Sequence, residues 1–273
     1  MRSYISYDEL EELGETIVRA YINKTRRYNA LCVDIEGLVT DYLGLTVVYE
    51  TIAEDDPNKI AFLSNGKRPL RVIRDGKRVQ VVFPKNTAVL DKVLLNENES
   101  SRRRFTLGHE GAHSIIAKQN PMQDVGCFHN EFDPERHYTF EEQKELLSFS
   151  EAQADRLSSV FLMPRFILEK VMKKYKCEKG LPIYGWNVFA PEDKIKLRKM
   201  ADCMGVSYQA LVIRLKTLGL LIPHDLTEYL EKGLQLGGAQ GHKTKKSCMT
   251  AGSGISHRKL QKRYANPVKK QKI

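Results

Sequence analysis

Apolar residues along this chain follow two spacings that take turns. Leu10, Leu13, Ile17, Ala20 and Tyr21 recur at three- and four-residue steps, which predicts an amphipathic helix near the start. The run from Val33 through Ile35 to Tyr42 and Leu43 predicts a second helix, closed by Gly44. The period then shortens. Residues 45–49, 59–64, 70–73 and 78–83 are brief runs rich in Val, Ile, Tyr and Phe, and Asn65-Gly66 and Asp75-Gly76 between them are hairpin signals. A small antiparallel sheet is expected, with residues 87–91 as an added edge strand. The polar stretch 96–101 reads as a link, after which helical spacing returns at 104–116 and again from Phe149 to a stop at Met163-Pro164. The fold class is therefore α+β.

The first returning helix carries His109-Glu110-Gly111-Ala112-His113, an H-E-x-x-H motif. Four residues advance a helix by roughly 6 Å and about 40° past one turn, so both imidazoles leave one face and can clasp one ion. Glu110, beside them, can take a proton from a water that zinc has acidified to a pKa of about 7, and amide hydrolysis is the expected chemistry. Five letters alone arise by chance in roughly one chain in a hundred of this composition, and two surface histidines on an amphipathic helix are the competing reading. A third ligand decides between them.

The next helix offers it. Glu151 and Asp155 stand four apart, on one face. One carboxylate can bind zinc and leave a fourth position to water, while Asp155 would accept the far N–H of a ligating histidine and fix its tautomer. A solvated acidic face is the bland alternative.

Taken together, the stretch from Arg104-Phe105-Thr106-Leu107-Gly108 to His113, then Glu151-Ala152-Gln153-Ala154-Asp155, then Phe161-Leu162-Met163-Pro164, resembles the ImmA/IrrE family of zinc metallopeptidases. The family pattern runs R-F-T-x-A-H-E-x-G-H, E-x-x-A-N/D and L-M-P. The resemblance implies a zincin-like core in which His109, His113 and Glu151 hold Zn2+, Glu110 is the catalytic base and Asp155 fills the Asn/Asp place. It also implies a protein substrate, a helix-turn-helix repressor encoded nearby on a mobile element or stress operon and cut once to relieve repression. The chain departs from the pattern where Gly108 replaces Ala and where Gly111-Ala112 reverses the usual order. Glycine inside a helix costs roughly 1 kcal/mol against Ala, which places the packing behind the site in question rather than the ligands.

Composition refines this picture. The formal charge of +10 resides at one end: from residue 237 onward there are 10 Lys and Arg and no Asp or Glu, leaving residues 1–236 with 34 of each sign. That tail, rich in Gly, Lys and Ser, lacks the apolar surface to offset ordering entropy and reads as disordered, apart from a candidate short helix around His257 to Tyr264. Nonspecific nucleic-acid binding and simple solubilisation are both open to it. The start of the chain shows no apolar signal region and no run of 18 apolar residues occurs, so no membrane partner and a cytoplasmic location are expected. Five scattered cysteines, Cys32, Cys127, Cys177, Cys203 and Cys248, fit reduced thiols there.

Two further features bear on function. Cys127, His129 and His137, between the metal helices, match no standard zinc module; His137 or Tyr138 is a candidate donor to the oxyanion. Residues 197–218 have helix-turn-helix spacing, with Ala201 between the helices, Gly205 in the turn, Ser207 as cap and Leu211 closing the core. The expected organisation is a peptidase domain at 1–175, a helix-turn-helix-like segment at 176–236 and the tail at 237–273. Nucleic acid is a candidate partner through 197–218 or the tail, although a helix pair packed beside the protease core is favoured. The alternative function is a DNA-binding transcriptional regulator with a structural or vestigial zinc site.

Overall fold

The computed structural model describes residues 5–119, 127–130, 149–185 and 187–230. Helix α1, Tyr7–Thr25, starts in a capping box: Ser6 Oγ accepts from the Glu9 amide at 3.2 Å and the Ser6 amide donates to Glu9 Oε2 at 2.8 Å. It buries Leu10, Val18, Tyr21 and Ile22, a stripe centred one position away from the predicted one, with Leu13 and Ile17 at its margin. The second predicted helix is a single turn, α2, Ile35–Gly37, that continues as a π-helical turn over Leu38–Tyr42. Asp34 anchors its start, accepting from the Gly37 amide at 3.1 Å and from the Tyr21 hydroxyl at 3.1 Å.

The strands are β1, Thr46–Ile52; β2, Lys59–Ser64; β3, Leu70–Arg74; β4, Lys77–Val81; β5, Thr87–Asp91; and β6, Cys127–Asn130. They pair in the order β4-β3-β1-β5-β2-β6. Two expectations are corrected here. Residues 87–91 lie at the centre of the sheet instead of its edge, and the pairing of β5 with β1 is parallel where an antiparallel sheet was expected; the other pairings are antiparallel. Asp75-Gly76 does join the β3–β4 hairpin, but Asn65-Gly66 joins no paired strands. Asn65 Oδ1 accepts from the amides of Lys67 and Arg68 at 2.9 and 3.0 Å, and this side-chain turn carries the chain away from β2. The partner sides of β2 are taken by β5 and β6, which arrive later in the sequence.

Alternation along the strands divides the core. Ala61, Ala88 and Leu90 join the large cluster beneath the helices, while Phe62 and Val89 join Leu70, Val72 and Phe83 in a smaller cluster. Above the sheet run α3, Ser100–Gln119, and α4, Phe149–Leu162; Pro164 then caps α5, Arg165–Lys174. A short parallel pair, β7, Leu181–Tyr184, and β8, Leu221–His224, flanks α6, Pro191–Met204, and α7, Tyr208–Thr217.

The α6–α7 turn has the local chemistry read from its sequence. Gly205 caps α6 at φ 64°, and Ser207 Oγ accepts from the Ala210 amide at 3.1 Å. Ala201 and Leu211 are buried in the same cluster as Leu157 and Phe161 of α4, so the hydrophobic core runs continuously across residue 175. Among the described residues no helix is long and apolar enough to cross a membrane. The tail from residue 237, and with it the short helix expected near His257, lies outside the described residues.

Candidate active site

Two glycines let the metal-site helix sit deep in the protein. A Cβ at Gly108 would lie 2.7 Å from Ser158 Oγ of α4 and 3.5 Å from Ile35 Cδ1; one at Gly111 would lie 3.0 Å from Val39 Cγ2. Both positions where the chain departs from the family pattern are therefore places of close approach, and α3 is held between α4 on one side and the α2 turn on the other. Arg104, one turn before His109, fastens α3 further: its guanidinium donates to the carbonyls of Gly205 at 2.9 Å and Val33 at 2.7 Å.

His109, Glu110 and His113 are buried as a result, at 1%, 0% and 3% exposure. Glu151 projects from α4 toward them. His109 Nε2 lies 3.1 Å from Glu151 Oε2, His113 Nε2 lies 3.1 Å from Glu151 Oε1, and the two Nε2 atoms are 2.8 Å apart. On the other side of the ring, His109 Nδ1 is 2.8 Å from Asp155 Oδ1. His109, His113 and Glu151 thus offer three donor atoms within 4.8 Å of one another, a group that could hold a metal ion. Two nitrogens and one carboxylate oxygen form a donor set that zinc accepts in catalytic sites.

The electrostatics agree with a site built around a cation. Burial pulls the His109 imidazole down, but the Asp155 and Glu151 carboxylates on its two nitrogens outweigh that and push it up to about 10. Burial would raise Glu151, yet hydrogen bonds from His109 and His113 hold it well below the usual carboxylate range. Burial lowers His113. Glu110 is different: burial, with Glu151 adding to it against the pull of His109, pushes its carboxyl up to about 8, and neither carboxylate oxygen has a hydrogen-bond partner among the described residues. A fully buried carboxylate with nothing to bind is expensive to keep for structure alone.

The structure brings together all five residues singled out in the sequence. Cys127 and His129 fall on β6, in register with Leu63 and Ala61 of β2, whereas His137 and Tyr138 lie outside the described residues. Ser158, which carries no sequence signal of its own, also contributes: its Oγ donates to the carbonyl of Phe105 at 3.0 Å, and the Phe105 ring lies 6.4 Å from that of His109.

A buried H-E-x-x-H helix faced by a carboxylate-bearing helix, above a small sheet, defines a zincin-like, metallopeptidase-type domain. Residues 85–216, which span both of these helices, match the family model of the M78 peptidases, described as the IrrE N-terminal-like domain. That stretch is a little under half of the chain, and the match supports the resemblance to the ImmA/IrrE family. No curated protein matches the chain.

Proposed function

We propose that the protein is a cytoplasmic zinc endopeptidase that makes a specific regulatory cut in a helix-turn-helix repressor. The observation carrying the catalytic part is the buried, unpartnered Glu110 carboxylate beside the donor atoms of His109, His113 and Glu151. Zinc held by those three residues would supply Lewis acidity toward the scissile carbonyl and toward water. Asp155 accepts the Nδ1 proton of His109 and so keeps the Nε2 lone pair turned to the donor cluster. A cation held beside Glu110 would favour its carboxylate form over the raised value set by burial alone, and as carboxylate it takes a proton from the attacking water as the water oxygen bonds to the carbonyl carbon. When the C–N bond breaks, Glu110 returns the proton to the leaving nitrogen, giving a carboxylic acid and a free amine. We assign substrate binding to strand addition at β6, which ends the strand order and follows α3 in the chain.

Selectivity for a repressor rests on the family resemblance. The described part of the 176–236 segment, up to Leu230, serves in this reading as a buttress for the peptidase residues before it. The inner face of α7 packs into the core through Leu211, Arg214 and Leu215, none more than 1% exposed.

The test is co-expression with the repressor encoded beside it. Discrete fragments are expected with wild type, none with Glu110→Gln, and metal content is expected to stay near wild type in that variant because the base is not a ligand. Cleavage at the wild-type rate by Glu110→Gln would refute the mechanism, and broad digestion of casein with the repressor intact would refute the selectivity.

A further inference from the structure

Thr106 is turned away from a bond that other threonines of this protein make within a helix. Thr25, Thr40 and Thr217 each donate their hydroxyl to the carbonyl four residues back, at 2.9 Å in every case. Ser114, on α3 itself, donates to the Gly111 carbonyl at 2.7 Å. Thr106 is fully buried on the same helix, yet its Oγ1 meets no partner among the described residues, the Arg102 carbonyl included. A buried hydroxyl that gives up the acceptor its own helix offers costs free energy unless something else receives it. Residues three and four apart are neighbours on a helix surface, so Thr106 adjoins His109 and Glu110. His109 has both ring nitrogens engaged, by Asp155 and Glu151. Helical side chains lean toward the N-terminus, which brings the Glu110 carboxyl back over Thr106. Both oxygens of that fully buried carboxyl are also without a partner among the described residues.

We propose that Thr106 is a positioning residue for Glu110 and acts through one buried water. The Thr106 hydroxyl donates to the water, and the water donates to a Glu110 oxygen. The two side chains are not bonded to each other, so a link between them takes a third group. A buried water needs roughly two to four polar partners, and these two residues supply the first two. The inference rests on the catalytic role proposed for Glu110. A carboxylate that turns one oxygen to the attacking water leaves its other oxygen in a dry pocket, where an unmet acceptor lets the group rotate. The bridge fills that oxygen and fixes the plane in which Glu110 takes and returns the proton.

A high-resolution crystal structure of the full chain is expected to show a water within about 3.2 Å of both Thr106 Oγ1 and a Glu110 oxygen. Clear density without that water, or a Thr106 hydroxyl bonded to the Arg102 carbonyl, would overturn the proposal. Thermal unfolding of the metal-free chain reads the same link without catalysis. Thr106→Val keeps the side-chain shape and removes the hydroxyl, so it should lower the Tm by about 2–4 °C in the wild-type background. With Glu110→Leu, where the water has lost its second partner, the same change should not lower it. An equal shift in both backgrounds would count against the bridge. In cleavage of the repressor, Thr106→Val should reduce kcat about tenfold, the worth of one hydrogen bond, with KM and metal content unchanged, and Thr106→Ser should recover most of the loss. A loss that also appears in metal content, or that serine does not repair, would mark Thr106 as a packing residue only. If the wild type leaves the repressor whole, the function proposed above fails, while the crystal structure and the unfolding measurements still decide the bridge.

Discussion

Gly108 shows how a single missing methyl is tied to a neighbour on another helix. Alanine there would add about 1 kcal/mol of helix propensity, but its Cβ would meet Ser158 Oγ at 2.7 Å. Ser158 is buried and engaged with the Phe105 carbonyl, so the clash should cost about 1–3 kcal/mol and outweigh the gain. Gly108→Ala is therefore expected to lower stability in the wild-type background and to raise it by up to about 1 kcal/mol once Ser158→Ala has removed the hydroxyl. Urea unfolding of the four proteins measures this, and strict additivity would disprove the pairing. At the donor cluster the carboxylates separate by role. Glu151→Ala should remove most metal affinity, while Asp155→Ala should reduce it about 10- to 100-fold by releasing His109. Metal titration checks both, and wild-type affinity in Glu151→Ala would require a different third donor.

A buried arginine joins elements of this protein alongside their apolar contacts. Arg214 of α7 donates through Nε to the Met163 carbonyl at the end of α4, at 2.9 Å, and through its other nitrogens to both oxygens of Glu11 on α1. Three helices meet on one guanidinium that is 1% exposed. Glu11→Ala should thus destabilise by about 3–5 kcal/mol, because it strands a buried charge, and adding Arg214→Met should recover most of that loss. Thermal melts of the single and double variants test it; a double variant as unstable as the sum of its parts would show that the ion pair is not the cause. The periodicity made both metal helices and all five strands up to residue 91 legible. It left this arginine unread, since a basic residue at the end of an amphipathic helix has the same local signature whether solvent or Glu11 receives it. It likewise mistook Asn65-Gly66 for a hairpin, because turn chemistry shows where a chain bends but not which strand it next meets.

At the scale of the whole molecule, the core does not stop where the family motifs stop. Leu181, Leu197, Met200, Leu211 and Leu215 are buried in one cluster with Leu157 and Phe161 of α4, and residues up to Leu230 form one compact unit. A chain ended after Tyr175 would expose the face of α4 and α5 that those residues cover, and it is expected to lose cooperative melting by circular dichroism. A soluble fragment of residues 1–175 with a sharp transition would show instead that the later helices are dispensable for folding.

The sequence by itself determined whatever is written within a few turns of chain: the period of each element, the caps at Ser6 and Ser207, and the two histidines and Glu110 on one helix, since 3.6 residues per turn is a local rule. The tertiary structure alone decided the parallel β1–β5 pairing, the approach of Ser158 to Gly108 and the burial of Arg214. Each of these joins residues that lie far apart in sequence, and such contacts are chosen by how whole faces pack together, a quantity that local spacing does not contain.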